Sequence, residues 1–452
     1  MPNQFVSQPT RSWRESSIVR WLCFGIIIGS TALFLYRGII RHSSAIHSDF
    51  NCFYTAGQLW NEGANPYDYN TYRARRIALA GAEPVTDNYG LLYPPPAVAF
   101  FGLFARLPIQ PAYIVFMVFN VGLALACLWM MRTILRWFIS VGWFEWAFLA
   151  SLLNTSFAFA NVRQVGLIAC TIILASFIVL KHQRLGWAGG LLGLLVFKPT
   201  FLPMYLAGYT VRRQWRLVLA CGAAGCILML APIVLAGRPP VETMQNWLTV
   251  AKTNQAPGDA NDPSPFVNGS IRMLHLAPLA YRVLNSQSEM AIMVVWAMLA
   301  AIVGYAFLLM LIGNPYEDAS LIDFGLMSVL SLLVIYHRHY DIFLLFPGLL
   351  AIYIHTRRLT DKVQQRRWSL FLLALVLCLC VPINRIDEWS VFYPALQNNY
   401  LWRVVAPLHS WATIGVVGAL LWLKTEQIGV RSLRFWSRKP SQPSLNQSET
   451  AH

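Results

Sequence analysis

The chain has 452 residues, of which 56% are hydrophobic and 12% are charged, and its formal net charge is +15. Soluble domains carry about 25% charged residues, so this composition excludes an ordinary soluble protein. The basic residues lie between apolar runs and at the termini, which is typical of cytoplasmic loops in a membrane protein and argues against a nucleic-acid partner.

Apolar runs of about 20 residues recur along the chain, and we expect an all-α polytopic integral membrane protein with about 12 transmembrane helices. Arginines precede the first run, which places the N-terminus in the cytoplasm. The predicted spans are 18–40, 91–107, 111–131, 143–160, 164–180, 187–210, 216–236, 289–312, 319–336, 340–356, 368–383 and 404–423. In this order Lys181 and Arg184 fall on the outer side, and a re-entrant segment within 91–186 would change the number of spans.

The predicted organisation is a single membrane domain with short cytoplasmic ends. Residues 1–17 form the N-terminal segment, 18–423 the membrane domain and 424–452 a basic, disordered tail. Three outer loops are expected at about 41–90, 237–288 and 384–403, and the first is predicted to contain short interfacial helices. Seven of the eight cysteines lie in apolar runs and only Cys52 lies in an outer loop, so no disulfide framework is expected.

A carboxylate, Asp49, stands just beyond the first span in an aromatic stretch at 47–54. In a lipid-embedded protein such a group must be solvated, paired or used. We interpret Asp49 as a candidate general base acting on a polar substrate at the membrane surface. The alternative is that Asp49 caps a helix beginning at Phe50.

Other polar residues at the predicted outer face could shape a cavity. Tyr67 lies in an Asn-Pro-Tyr-Asp sequence and Tyr93 precedes three prolines, although turns, kinks and interfacial anchoring explain these patterns equally. Asn268 closes the second outer segment, where it either binds a sugar or makes a turn. Lys198 precedes a proline inside an apolar run and either snorkels or reaches a lipid phosphate. Arg163 lies in a tight polar turn between two spans.

A basic cluster at 336–341 follows the ninth predicted span, with the sequence Tyr-His-Arg-His-Tyr-Asp. Arg338 offers a bidentate fork to a phosphate, to which His337 or His339 adds a donor. Two histidines at i and i+2 point to different sides of a helix and no further ligands are near, so no metal site is predicted. The alternative is a basic interfacial hairpin without a ligand.

These short motifs occur in an order similar to that of glycosyltransferase family 87, the bacterial polyprenyl-phosphate-mannose-dependent α-mannosyltransferase type. The chain thus resembles this family, which is also recorded as a domain of unknown function. The similarity extends over about residues 45–345. The stretches that carry it are Asp49–Tyr54 with Ala56, Gly63–Tyr67, Tyr93–Pro95, Arg163–Gly166, Ala188–Leu191 through Lys198-Pro199, Asn268–Ile271 and His339–Asp341.

The resemblance implies a type C glycosyltransferase fold in the bacterial inner (plasma) membrane, with its active site facing the periplasm. The donor would be a hexose, mannose in the family's usual case, on a polyprenyl phosphate, and the acceptor a glycolipid or glycan among the membrane lipids. Asp49 would be the general base. The donor phosphate would contact Arg338, His339, Lys198, His337 and Arg163, and sugar or acceptor would contact Tyr67, Tyr93 and Asn268. No cofactor is expected, which agrees with the lack of a Gly-rich phosphate loop.

The main alternative is a transporter or flippase of lipid-linked sugars, which also needs aromatic and cationic cavity residues. A transporter places such residues near the bilayer midplane, whereas the candidates here lie at one face.

Overall fold

The computed structural model describes residues 16–40, 45, 49–80, 91–155, 164–253, 273–286, 288–313, 320–335, 337–381 and 399–437. Their regular secondary structure is helical, apart from one isolated bridge between Met273 and Arg338. The all-α prediction is therefore confirmed for the described part of the chain.

The first half of the chain forms ten α-helices among the described residues. They are α1 Ser17–Leu35, α2 Asp49–Asn61, α3 Tyr69–Ala80, α4 Pro95–Phe104, α5 Ile109–Arg136, α6 Trp143–Leu153, α7 Gly166–Lys181, α8 Leu185–Gly193, α9 Leu202–Val211 and α10 Trp215–Leu235. A π-helical turn extends α1 to Ile40, and two short 3₁₀ turns, Leu194–Phe197 and Pro199–Phe201, connect α8 to α9.

The second half continues with a further set of helices. They are α11 Pro240–Thr253, α12 Leu276–Leu284, α13 Glu289–Ile312, α14 Leu321–Val334, α15 Phe346–Arg358, α16 Lys362–Cys380, α17 Tyr400–Val405 and α18 Leu408–Ser437. A 3₁₀ helix, His339–Leu345, leads directly into α15.

Among the described residues, five helical segments are long and apolar enough to cross a bilayer: Ser17–Ile40, Ile109–Arg136, Trp215–Leu235, Glu289–Ile312 and Lys362–Cys380. Large apolar side chains remain exposed on them, as at Leu219 and Met290, both 70% exposed. Lipid can cover such faces at no cost in hydration free energy. The chain is thus an integral membrane protein, and two of the twelve predicted crossings, 91–107 and 187–210, take a different form in the structure.

The segment 91–107 does not form the continuous span that the sequence predicts. Helix α4 has ten residues and is about 15 Å long at 1.5 Å per residue, half the thickness of a bilayer core. Both of its flanks contact α2: the Tyr93 ring lies 4.8 Å from that of Phe53, and Tyr54 Oη donates to the carbonyl of Leu107 at 2.7 Å. The apolar run therefore turns back towards α2, as a re-entrant segment does.

The segment 187–210, predicted as one span, is two arms broken at Lys198. Two glycines let α8 lie closely against α10. A Cβ added at Gly189 would clash with the carbonyl oxygen of Leu217, and a Cβ added at Gly193 would lie 2.6 Å from the carbonyl oxygen of Cys221. Residue numbers rise together along this contact, so the two helices are parallel. Helix α10 begins only four residues after α9 ends, so the end of α9 lies near the start of α10 and therefore near the start of α8. Helix α9 thus runs antiparallel to α8, and Lys198 lies at the turn between them.

This arrangement changes the predicted side of one basic residue. Lys181 Nζ lies 5.6 Å from the Phe138 ring centre, and Arg358 donates to the Phe138 carbonyl at 3.1 Å. Lys181 and Arg358 therefore share one end of the molecule, whereas the predicted order of spans separates them. The predicted side is wrong because 91–107 was counted as a crossing. One crossing too many places each following loop on the opposite side of the membrane, until the broken segment 187–210, also counted as a crossing, restores the order.

Helices α14 and α15 form the centre of the bundle. Twelve of the residues of α14 are buried, which is expected of a helix that is apolar all round. Its two central serines are satisfied: Ser328 Oγ donates to the Leu344 carbonyl at 2.6 Å and Ser331 Oγ donates to the Phe201 carbonyl at 3.1 Å. These bonds hold both Phe201 and the 3₁₀ helix His339–Leu345 against α14.

A buried charged triad joins three helices at the end that holds Arg358. Asp323 of α14 accepts from Arg212 at 2.5 Å and from Lys424 of α18 at 2.9 Å, and the three side chains are each 1% exposed. The N-terminal turn of α14, capped by Ser320, stabilises the carboxylate further. The triad ties the start of α14 to the end of α9 and to the middle of α18.

Candidate active site

Asp49 is the first residue of α2 and its side chain is exposed. The helix starts here because an acidic side chain is favourable at a helix N-terminus and because Phe50 is drawn into an aromatic core, its ring 5.2 Å from that of Phe116. The helix thus begins one residue earlier than the capping interpretation expected, and a residue at a helix start can also present its carboxylate to a substrate, so the role of Asp49 as a base stays a prediction.

Gln164 holds the Asp49 carboxylate. Its amide nitrogen donates to Asp49 Oδ2, and its amide oxygen accepts from Tyr93 Oη at 3.4 Å. Gln164 is buried, so the amide orientation is set by both partners. The result is a polar chain that runs from Tyr93 through Gln164 to Asp49 and orients one carboxylate oxygen.

Tyr67 supports this chain of hydrogen bonds by bonding to the backbone of Tyr93. Its hydroxyl donates to the Tyr93 carbonyl at 3.1 Å and its side chain is buried. Burial raises the pKa of the Tyr67 phenol well above its usual value, and the charge of Arg238 opposes the rise. Arg238 in turn donates to the carbonyls of Trp60 and Ala64 at 3.0 and 2.9 Å. Tyr67 thus shapes the site through Tyr93.

A second polar cluster centres on Asp341. Lys198 Nζ donates to its two carboxylate oxygens at 2.5 and 2.7 Å, and His337 Nδ1 lies 3.0 Å from Oδ2. The Lys198 side chain is 14% exposed, whereas those of Asp341 and His337 are 1% and 0% exposed. Lys198 therefore lies at the boundary of the cluster and the other two lie within it.

Aromatic rings hold the Lys198 ammonium in place. It lies 4.9 Å from the ring centre of Phe201 and 4.8 Å from that of Tyr340. The Phe201 ring also stacks on His337 at 5.0 Å. A lysine in a broken helix, between two rings and a carboxylate, has little freedom to snorkel.

Arg338 and His339 follow His337 directly. Arg338 is half-buried, and its charge acts on the Lys198 ammonium, so two cations lie near one carboxylate. His339 is buried at the start of the 3₁₀ helix. The cluster therefore has one more formal positive charge than negative charge even with His337 and His339 neutral.

The segment from Met273 to His275 covers this cluster. Leu274 N donates to the His337 carbonyl at 2.8 Å, next to the bridge between Met273 and Arg338. His275 is buried, and burial lowers its pKa to about 3, with a further contribution from the charge of His337. His275 is therefore neutral at physiological pH.

A small apolar pocket of about 10 Å³, with room for about one water, lies beside Lys198. Val165, adjacent to Gln164, also lines it, together with Ile168, Leu194 and Phe197. The Phe197 ring contacts that of Phe100 in the re-entrant helix, with centres 5.5 Å apart. One apolar wall therefore contains both Lys198 and the residue that follows Gln164.

The structure brings together Asp49, Tyr93 and Tyr67 in one cluster, and Lys198, His337, Arg338 and His339 in the other. Arg163 and Asn268 lie outside the described residues. No role was predicted for Gln164 or His275, and Asp341 was not predicted to be the centre of its cluster. Two signals were present: Gln164 lies in a stretch that carries the family resemblance, and Asp341 follows His337 at i+4.

Comparison with known families agrees with this architecture. The model of glycosyltransferase family 87 matches residues 91–335, more than half of the chain, and the chain therefore belongs to this family. No curated protein and no solved structure shows significant similarity to it.

Proposed function

We propose, from its membership of glycosyltransferase family 87, that this protein moves a hexose, most simply mannose, from a polyprenyl-phosphate donor to a glycolipid or glycan acceptor. The reaction would take place at the periplasmic face of the bacterial inner membrane. The observation that carries the proposal is the exposed carboxylate of Asp49, which the buried amide of Gln164 orients. Val165, next to Gln164, lines the same small apolar pocket as Lys198 of the second cluster.

In the proposed reaction Asp49 acts as general base. It accepts the proton of the acceptor hydroxyl as that oxygen bonds to the anomeric carbon of the donor sugar. The bond between the anomeric carbon and the phosphate oxygen breaks, and its electron pair leaves with the polyprenyl phosphate. The hydrogen bond from Gln164 keeps one oxygen of Asp49 fixed, so that the carboxylate does not have to reorganise during the transfer.

The phosphate that leaves gains negative charge, which the cationic patch would stabilise. Arg338 lies half-buried beside the cluster and Lys198 has its ammonium at the boundary, and we assign these two cations to the phosphate. Asp341 forms an ion pair with Lys198, so we assign Asp341 and His337 to positioning Lys198. This pairing also explains how a lysine persists within an apolar run.

One observation favours the alternative, a transporter or flippase of lipid-linked sugars. The broken segment at Lys198-Pro199 has the form of the discontinuous helices that build transporter sites. Transport, however, gives no role to a carboxylate held exposed at the start of α2. Asp49 therefore favours transfer.

The test is sugar transfer in reconstituted vesicles. Radiolabelled polyprenyl-phosphate-mannose is supplied with extracted membrane lipids, and the parent is compared with Asp49→Asn. The matched control is Asp68→Asn, at the start of α3, where the carboxylate accepts from Thr71 N at 2.8 Å and asparagine caps equally well.

Transfer by the parent and by Asp68→Asn, with loss of at least about 100-fold in Asp49→Asn, supports the proposal. Equal transfer by all three rules out Asp49 as the base. Movement of the labelled lipid across the bilayer without formation of product supports the transporter instead.

A further inference from the structure

A cavity of about 480 Å³ lies between α1, α5 and α6, far along the bundle from Asp49. Its wall is largely apolar and includes Ile27, Leu128, Trp143, Trp146, Ala150 and Leu153. This volume is within the range of about 300–1,000 Å³ that ligand cavities occupy. None of these residues takes part in the site described above.

The cavity opens near the end of the molecule that carries Arg358. Gly142 and Trp143 form part of its lining, and Phe138, four residues before Gly142, is bonded to Arg358. The Trp143 ring meets Phe24 of α1 edge to face, with centres 6.3 Å apart. Phe24 and Trp143 therefore mark the end of the cavity nearest the membrane surface.

Two arginines continue the lining towards that surface. On α1, Arg20, Phe24, Ile27 and Thr31 follow the helical spacing i, i+4, i+7, i+11, so Arg20 lies on the stripe that lines the cavity. On α5, Arg132 follows the lining residue Leu128 by one turn. On each of these two helices the apolar stripe therefore ends in an arginine, and the two arginines lie at the same end of the bundle.

Arg132 is held over the cavity wall. Its guanidinium lies 5.5 Å from the ring centre of Trp146, and its Nε is buried with no hydrogen-bond partner among the described residues. The carboxylate on the same side of the bundle, Glu145 of α6, is balanced by Arg357 at 3.0 Å. The mouth of the cavity is thus positive and includes a donor that needs an acceptor.

We propose that this cavity binds an acyl chain of an acidic glycerophospholipid, with the head-group phosphate between Arg20 and Arg132. An apolar cavity within the bilayer gains dispersion contacts when a chain fills it. The acidic leaflet surface attracts basic residues at the membrane boundary, which favours an anionic head group over a zwitterionic one. The site is independent of the proposed sugar transfer.

The test is native mass spectrometry of the purified full-length protein in detergent. The probes are phosphatidylglycerol and phosphatidylcholine with identical acyl chains. Arg20→Gln and Arg132→Gln remove one cation each, and Thr31→Trp fills the cavity from its exposed wall. Arg216→Gln, an exposed arginine at the start of α10, is the matched control.

Tighter binding of phosphatidylglycerol to the parent, weakened roughly fivefold by each of the two arginine variants and unchanged in Arg216→Gln, supports the site. Thr31→Trp is expected to weaken both lipids. Equal binding of the two lipids, or equal effects of all three arginine variants, overturns the acidic head-group assignment. Unchanged binding in Thr31→Trp overturns the location.

Discussion

The buried triad of Arg212, Asp323 and Lys424 gives the clearest prediction for stability. Asp323→Asn keeps the size of the side chain but removes the one carboxylate that two buried cations share at 2.5 and 2.9 Å. Each of the three side chains is 1% exposed, so water cannot replace the lost charge without opening the helix contacts. Two uncompensated cations would then remain in an apolar interior.

The expected cost follows from that burial. Removing one partner of a buried ion pair costs about 3–5 kcal/mol, chiefly because the other charge is left unpaired. Here a single change affects two cations, so we expect the upper part of this range. At about 1.4 kcal/mol per factor of ten, the equilibrium between folded and unfolded protein shifts by roughly 10³- to 10⁴-fold.

The triad also predicts an order among its variants. Lys424→Met leaves the neutral Arg212–Asp323 pair intact and removes the excess positive charge, so it should cost clearly less than Asp323→Asn. Asp361→Asn is the matched control, because Asp361 caps α16 at an exposed position by accepting from Val363 N at 2.8 Å. Asparagine caps nearly as well as aspartate, and we expect less than about 0.5 kcal/mol there.

The measurement is equilibrium unfolding in mixed micelles, followed by loss of helical circular dichroism. If Asp323→Asn costs no more than Asp361→Asn, the carboxylate does not stabilise the two cations. If Lys424→Met is as destabilising as Asp323→Asn, the cost comes from lost packing and not from unbalanced charge.

Three further outcomes are expected. Gln164→Leu should slow transfer about 10- to 100-fold, from loss of one hydrogen bond to the Asp49 carboxylate, with a melting temperature near that of the parent; unchanged transfer kinetics would contradict the positioning role. Asp341→Asn should cost about 3 kcal/mol in the same unfolding assay, because Lys198 loses its buried counter-ion, and Lys198→Met in that background should recover part of the loss. His275, with a pKa near 3 in the folded state and 6.5 when exposed, lowers stability as pH falls through 6.5 towards 3. Between pH 7.5 and 4.5 the parent should therefore lose roughly 2–3 kcal/mol more than His275→Gln, and parallel pH profiles would contradict this.

The two charged clusters show why tertiary contacts decide function here. In the sequence, Lys198 and Asp341 are 143 positions apart, and each could serve several roles. Only the packing of the broken segment against the 3₁₀ helix makes them a pair. Lys198, expected from the sequence either to snorkel or to reach a lipid phosphate, is thereby bonded to both carboxylate oxygens of Asp341.

The prediction of membrane helices succeeded where hydropathy and length act together and failed where backbone hydrogen bonds are broken. The long apolar runs at 109–136 and 289–312 are continuous helices because an isolated chain in lipid has no other way to satisfy its backbone. The runs at 91–107 and 187–210 are equally apolar, but they are interrupted or turned back. At the bend, Lys198 is bonded to Asp341 of the distant 3₁₀ helix, and hydropathy does not record that contact.

The sequence by itself determined that this is a helical membrane protein of glycosyltransferase family 87, because composition, apolar run length and the order of short motifs are local properties of the chain. It also singled out Asp49, since a carboxylate next to a span is costly unless it is used. The tertiary structure decided which residue holds Asp49, which carboxylate balances Lys198, and which end of the bundle each loop occupies. These depend on contacts between residues more than 100 positions apart, and such contacts follow from packing of the whole bundle and not from any local pattern.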